Sequence, residues 1–146
     1  MIKAIYIIGT IILLFFSFYL LKPLFHLNKL PQTNYVNLNY ESIDLKKVDL
    51  KNKKTFIFYI DPTCNYCENI KSILDTLKPG HYNRIVICSN IENINYKKYK
   101  AKFNLIESDL FLIDNSNSFI RDFNIGFKYS LPLVLQYNKN GKLIKN

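Results

Sequence analysis

The hydrophobic pattern of this chain changes period several times between its two ends. Residues 4–21 carry no charge and no proline. A helix of that length rises about 1.5 Å per residue and spans roughly 27 Å, close to a hydrocarbon core of about 30 Å. A buried helix seldom runs apolar all round at a chain terminus. No small-x-small cleavage site follows the stretch, only Leu20-Leu21-Lys22-Pro23, and no Cys stands there to carry a lipid. The pattern therefore predicts an uncleaved single-pass membrane anchor over 4–21, with residues 1–3 as a cytoplasmic tail. Long domains after such a span translocate largely regardless of their charge. That places residues 22–146 outside the cytoplasm, in a periplasm or its equivalent. Residues 22–34, with Pro23, His26 and Pro31, read as a juxtamembrane linker.

Beyond the linker, residues 35–146 alternate between strand and helix periods. Tyr35-Val36-Asn37-Leu38-Asn39 has the two-residue period of a strand with one buried face. Thr55 to Ile60 is a continuous β-branched and aromatic run, as expected of a central strand covered on both faces. Residues 64–77 place Cys67, Ile70, Ile73, Leu74 and Leu77 at helical spacing, ended by Pro79-Gly80. Arg84 to Cys88 and Leu110 to Ile113 are further strands, and 93–103 is a weak helix with Tyr96, Tyr99 and Phe103 on one side. Residues 116–123 form a short helix for which Ser116 is the expected cap. Leu133 to Tyr137 and Lys142 to Lys145 are strands joined by Asn138-Lys139-Asn140-Gly141, a hairpin signal. The sum is a mixed α/β sheet with an antiparallel end.

Composition narrows the class without naming a function. The chain has 146 residues, enough for one domain and its anchor, and its 49% hydrophobic content argues against disorder. The net charge of +9 invites nucleic acid or an anionic membrane surface. However, Ile, Lys, Asn, Tyr and Phe together make up 78 of the residues, the bias an AT-rich coding sequence imposes whatever the function. Tyr96 and Tyr99 among lysines fit a helix with one solvated face, so no nucleic-acid partner is expected. Beside an anchor, the lysines face anionic lipid headgroups instead.

Cys64-Asn65-Tyr66-Cys67 stands where the central strand hands over to a helix. Residues three apart in a regular helix hold their Cβ atoms about 5–6 Å apart, while a disulfide wants roughly 3.8 Å. At a helix start the first Cys need not be helical, so the gap can close. Cys64 would also face unpaired N–H groups there, which favour a thiolate, while Cys67, one turn in, is more buried. This assigns Cys64 as nucleophile and Cys67 as the thiol that resolves a mixed disulfide. Three other readings compete. A zinc site needs four ligands, and only His26, His81 and Cys88 stand elsewhere, so no metal is expected. A structural disulfide closing so short a loop removes little chain entropy. A single C-x-x-C also arises by chance, against which its strand-then-helix setting argues. Cys88 itself reads as a buried strand residue that packs as a small hydrophobe.

In order along the chain, Leu50-Lys51-Asn52-Lys53, Phe56 to Ile60, Cys64 to Cys67, the 93–113 segment, Phe123-Asn124-Ile125, Leu131-Pro132 and the Asn140-Gly141 hairpin resemble a known pattern. The chain resembles the thioredoxin-like family, in its membrane-anchored, extracytoplasmic branch of thiol–disulfide oxidoreductases (redoxins). The resemblance implies a three-layer thioredoxin-like fold over 35–146 and a redox-active Cys64–Cys67 pair needing no cofactor. It implies that Pro132 is cis and faces that pair, with the Leu131 backbone holding an extended substrate and Asn65 and Tyr66 contacting it. Three departures stand out. Thr63 replaces a common Trp, and Phe58 stands where thioredoxins bury a carboxylate. Asp61 and Glu68 are nearby but expected to be exposed. Thirdly, the usual last helix is absent after the hairpin, which leaves part of one sheet face to be covered otherwise.

The function expected from these readings is exchange or reduction of disulfides in extracytoplasmic proteins, with a membrane or soluble redox partner regenerating the pair. Two alternatives belong to other classes. One is a non-catalytic binding or assembly protein with a structural disulfide, which would have a very low reduction potential. The other is a chaperone for a soft metal such as Cu(I), which would purify with stoichiometric metal.

Overall fold

The computed structural model describes residues 9–17, 34–48, 52–126 and 128–145. Its centre is the run of β-branched and aromatic residues that ends at Ile60. In chain order the elements are a helical stretch over residues 9–17 (α1), β1 (Asn34–Val36), β2 (Ser42–Asp44) and the 3₁₀ turn η1 (Leu45–Lys47). There follow β3 (Lys54–Ile60), the 3₁₀ turn η2 (Cys67–Asn69), α2 (Ile70–Thr76), β4 (Tyr82–Ser89), α3 (Tyr96–Lys100) and the 3₁₀ turn η3 (Ala101–Phe103). The chain continues through β5 (Leu110–Asp114), α4 (Phe119–Asp122), β6 (Leu133–Tyr137) and β7 (Leu143–Lys145). The strands form one sheet in the order β2-β1-β5-β4-β3-β6-β7. β3, β4 and β5 run parallel, and β6, β7, β1 and β2 are added antiparallel. The mixed α/β sheet expected from the alternating periods is therefore present.

Side chains alternate across the sheet and feed two cores. Ile57 and Tyr59 of β3 join Ile85, Ile87, Leu112, Leu135 and Tyr137 on one face, covered by η1 and α4 through Leu45, Phe119 and Phe123. Phe58 and Ile60 join Val86, Cys88, Phe111 and Ile113 on the other, covered by Cys67, Ile70 and Leu74 and by Tyr99 and Phe103. Burying each of the large apolar side chains contributes about 1.5–3 kcal/mol, enough to hold layers whose helices are too short to be stable alone. Asparagine, so abundant here, has a structural use. Asn52, Asn93, Asn104, Asn117 and Asn124 all adopt positive φ, the left-handed turns that a chain with four glycines must fill with another residue.

Three local expectations need correction. The helix predicted from residue 64 starts later, as η2 and then α2. The tighter winding of η2 rotates the apolar face, so Ile70 and Leu74 are buried while Ile73 turns outward. The cap expected of Ser116 is supplied by Asp114. Its buried carboxylate accepts the N–H groups of Ser118 (3.0 Å) and Phe119 (2.8 Å), and a carboxylate at a strand end satisfies two donors where a hydroxyl satisfies one. Asp61 is half-buried, held in by hydrogen bonds from Thr63 and, from the end of β4, Ser89.

The anchor predicted over 4–21 lies largely outside the described residues. Within it, α1 exposes Ile11 to Phe16, and among the described residues no helix is long and apolar enough to cross a membrane. Nor, among them, does a helix follow β7. On the α2 face of that end, Phe56 and Val134 are half-buried and Ile144 is exposed.

One charged contact fixes α2 onto the sheet. Arg84 is buried in β4 and donates from Nε to Asp109 (2.8 Å) and from its second amino group to the other Asp109 oxygen. Its remaining amino group donates to the carbonyls of Leu74 (3.0 Å) and Leu77 (3.3 Å), the open end of α2. Asp109 in turn accepts the Ile106 N–H at 2.8 Å. A cation at a helix C-terminus also opposes the helix dipole. Arg84→Met would strand a buried carboxylate, and it should cost about 3–5 kcal/mol of unfolding free energy. Urea denaturation measures this, and the double variant Arg84→Met/Asp109→Leu should recover part of the loss.

Candidate active site

The antiparallel register of β3 and β6 builds the site. Tyr59 pairs with Leu133, so the chain leaving β3 at residue 61 meets the chain entering β6 at residues 131–132. The Leu131–Pro132 peptide is cis. The Cys64 Sγ lies 3.8 Å from the Leu131 carbonyl oxygen, within reach of a thiol hydrogen bond donated by Cys64. Cys64 and Leu131, separated by 67 residues in sequence, thus share one edge of the molecule.

The four residues of the motif have unequal settings. Cys64 is half-buried in the turn before η2, outside the helix, with its N–H donating to the Asp61 carbonyl (3.0 Å). The Cys67 N–H donates to the Cys64 carbonyl (3.1 Å), and the Cys67 side chain is fully buried in the core under α2. Asn65 and Tyr66 lie between them, both exposed, Tyr66 at 71%. Both cysteines are thiols. Burial pushes the Cys67 thiol up to about 12, and a hydrogen bond to Cys64 together with the charges of Cys64 and Asp61 adds to the rise, partly offset by a backbone hydrogen bond at Asp61. Cys67 is therefore the thiol that keeps its proton.

Two features of this site lie beyond the reach of sequence patterns. Asp61 Oδ1 accepts the Thr63 N–H (2.7 Å) and hydroxyl (2.5 Å), and its Oδ2 accepts the Ser89 hydroxyl from the end of β4 (2.9 Å). Burial opposes its charge, and the hydrogen bonds from Thr63 and Ser89 outweigh burial, holding the carboxyl below its usual range. The Tyr99 hydroxyl reaches the Asp61 carbonyl at 3.5 Å, and burial with nearby thiols raises the phenol well above its ordinary value. The signal available in the sequence was only Asp61-x-Thr63 ahead of a cysteine, which reads as an ordinary turn.

Cys88 pairs in register with Ile60 and sits in the same apolar cluster as Cys67, where burial raises its thiol far above the ordinary range. It packs as the small hydrophobe expected. His81 is exposed before the N-terminal end of β4, and because β3 and β4 are parallel it lies at the opposite end of the sheet from Cys64. Glu68 is exposed and paired with Lys102. Among the described residues no cluster of three metal-ligating side chains occurs.

No family model and no curated protein matches this sequence. Solved structures do. A secreted disulfide oxidoreductase of Mycobacterium tuberculosis, homologous to E. coli DsbE, superposes with a TM-score of 0.60 at 17% identity, over 82% of this chain and 82% of its own. A putative thioredoxin from Neisseria meningitidis gives 0.60 at 18% identity, over 81% of this chain and 77% of its own. The thioredoxin domain of a thiol-disulfide oxidoreductase from Bacteroides vulgatus gives 0.60 at 16%, over 80% and 83%. At these identities the likeness is one of fold: the chain has a thioredoxin-like α/β fold.

The asymmetry of the two thiols has a measurable consequence. In the folded protein, iodoacetamide should modify Cys64 well before Cys67. In a Cys64→Ser variant, removal of Cys64 leaves burial as the main cause of the Cys67 shift, so its reaction should stay slow near neutrality and rise with pH throughout the alkaline range. Peptide mass spectrometry reads both rates. Modification of Cys67 as fast as Cys64 at pH 7 would contradict the assignment.

Proposed function

We propose that the chain is a membrane-tethered thiol–disulfide oxidoreductase that reduces or exchanges disulfides of extracytoplasmic proteins through Cys64 and Cys67. The observation that carries this reading is the contact of a half-buried Cys64 with the Leu131 carbonyl, beside a fully buried Cys67. The Cys64 thiolate attacks a substrate disulfide, joining its sulfur to one substrate sulfur and releasing the other as a thiolate. Cys67 then loses its proton and attacks the Cys64 sulfur. The second substrate thiolate leaves, and the protein is left with a Cys64–Cys67 disulfide. Two electrons have passed to the substrate, and an external dithiol donor, soluble or in the membrane, returns them.

In this reading the Leu131 and Pro132 backbone holds an extended substrate segment beside Cys64, as an added strand would be held. Asn65 and the exposed Tyr66 make the side-chain contacts around it. Tethering rests on the uncharged stretch 4–21, whose described part exposes Ile11 to Phe16. Placement outside the cytoplasm is supported by the same stretch and by the secreted protein among the structural relatives. The lysine-rich domain would then lie close to anionic headgroups.

Replacing Cys67 with Ser should arrest the cycle at the first step. Cells expressing Cys67→Ser should accumulate covalent adducts that disappear on adding dithiothreitol and are absent from the Cys64→Ser/Cys67→Ser double variant. An abundant Cys67→Ser protein without adducts would rule out exchange at Cys64. For the tether, the full chain should remain in the membrane pellet after an alkaline carbonate wash, and release into the supernatant would overturn anchoring.

A further inference from the structure

At six described non-glycine positions the backbone takes positive φ, and five of them are asparagines. The sixth is Tyr40, at φ +62. A bulky aromatic residue is a poor occupant of the left-handed region, where asparagine or glycine sits easily, and this chain supplies asparagine freely elsewhere. The turn around Tyr40 is firmly built. Asn37 Oδ1 accepts the N–H groups of Asn39 (2.8 Å) and Glu41 (3.0 Å), and the Tyr40 N–H donates to the Asn37 carbonyl (3.0 Å). Burial does not offset the strain, because the residue is 78% exposed at the tip of the β1–β2 hairpin. A strained position that presents an aromatic ring to solvent fits a side chain kept for what it contacts.

Tyr40 lines a groove of about 300 Å³ together with Leu38, Ile94, Tyr96, Lys97 and Ile113. The buried Ile113 is its floor, and the half-buried Leu38, Ile94 and Tyr96 are its walls. The Tyr96 hydroxyl accepts the Ile91 N–H (2.7 Å), which holds that ring in place. No carboxylate lines the groove, and among the described residues Lys97 and its exposed neighbour Lys98 make no ion pair. The sheet register fixes where the groove lies. Ile113 pairs with Cys88 and Cys88 with Ile60, so the floor and the end of β3 share one row, about 10 Å apart at two strand spacings. Leu38, Ile94, Tyr96 and Ile113 pack in the same apolar cluster as Cys64 and Cys67.

We propose that this groove is a second substrate-binding site, which takes an aromatic side chain flanked by carboxylates on the same polypeptide as the disulfide held at Cys64. This rests on the exchange reading above. An extended chain rises about 3.3 Å per residue, so the groove receives residues about four to six positions from the target cysteine. The apolar walls and the Tyr40 ring cover the aromatic side chain, and Lys97 at the rim pairs with a carboxylate beside it, with Lys98 adding to the positive field. The occupant is a protein segment because the groove is open along the exposed Tyr40 and continuous, through the shared apolar cluster, with the edge where Cys64 meets its substrate. Tyrosine at such a contact supplies a large, rigid surface, and an unpaired rim charge steers the approach of a segment of opposite sign. The consequence is selection. Substrates with an acidic, aromatic stretch near the cysteine react ahead of those with a basic or apolar-poor one.

The test uses the full chain in detergent micelles, reduced beforehand and freed of reductant, mixed with short peptides dimerised through one disulfide. One peptide carries Asp-Phe-Asp about five residues from its cysteine, another carries Lys-Ser-Lys there, and the last ends before that point. Chromatographic separation of reduced from dimeric peptide gives the rate of a single turnover. The Asp-Phe-Asp peptide should react about tenfold faster than either of the others, the size expected of one partly buried ring with one rim ion pair. In Tyr40→Asn and in Lys97→Glu that ratio should fall to about threefold or less. Tyr40→Asn should melt at or above the parental temperature, since asparagine suits the position, and a lower melting temperature would make the ring structural and overturn the proposal. Equal rates for the three peptides would overturn it, as would a ratio that survives either substitution. Protection of Lys97 from acetylation in phosphatidylglycerol nanodiscs, with no peptide preference, would assign the groove to the membrane surface and overturn it too. Failure to reduce any of the peptides refutes the exchange reading itself, whereas equal reduction of all three refutes only the groove.

Discussion

A strand that is hydrogen-bonded on both edges and buried on both faces can discharge its polar groups only at its ends. β3 is such a strand, paired over seven residues with β4 and over five with β6. Its C-terminal end is where the chain first turns polar, at Asp61, and there the antiparallel neighbour β6 brings Leu131 and Pro132 alongside. The site is a consequence of that single pairing. Shift the register of β3 against β6 by one residue and every core side chain changes face, while Cys64 loses its contact with Leu131.

The helix that follows is held by opposite means at its two ends. At the first, α2 and the preceding turn carry a buried thiol and a half-buried one around the backbone of Asp61. At the other, Arg84 reaches from β4 to close the carbonyls of Leu74 and Leu77 while paired to Asp109. The ion pair at the far end is fully compensated and serves to fix the helix in place. At the near end the Asp61 carboxylate is held by hydrogen bonds from Thr63 and Ser89 and makes no ion pair among the described residues.

The residues show which parts of this could be read in advance. The strands announced themselves because the Thr55–Ile60 and Arg84–Cys88 runs are apolar in both registers, and Cys64-x-x-Cys67 is a pattern of fixed spacing, while Pro132 stood out only through the family resemblance. The hairpin at Asn138–Gly141 was equally plain, since Gly141 has the positive φ its turn needs. What stayed hidden depends on residues far apart in sequence. Ser89 meets Asp61 across 28 positions, and Tyr99 across 38. Arg84 meets Asp109 across 25. Periodicity reports which face a side chain takes, not which partner it finds there. The Ser116 expectation failed for a related reason: Asp114, placed by the end of β5, was better aimed at the first amides of α4. The short β2 and η1 carried too few residues for any period to show.

The reduction potential of the Cys64/Cys67 pair tests the central claim most directly. Equilibration of the full chain with glutathione buffers of known ratio, read by thiol counting at the two positions, should give a value between about −270 and −120 mV, the range of proteins that exchange disulfides. A value below about −300 mV would mark a structural bridge and contradict the account.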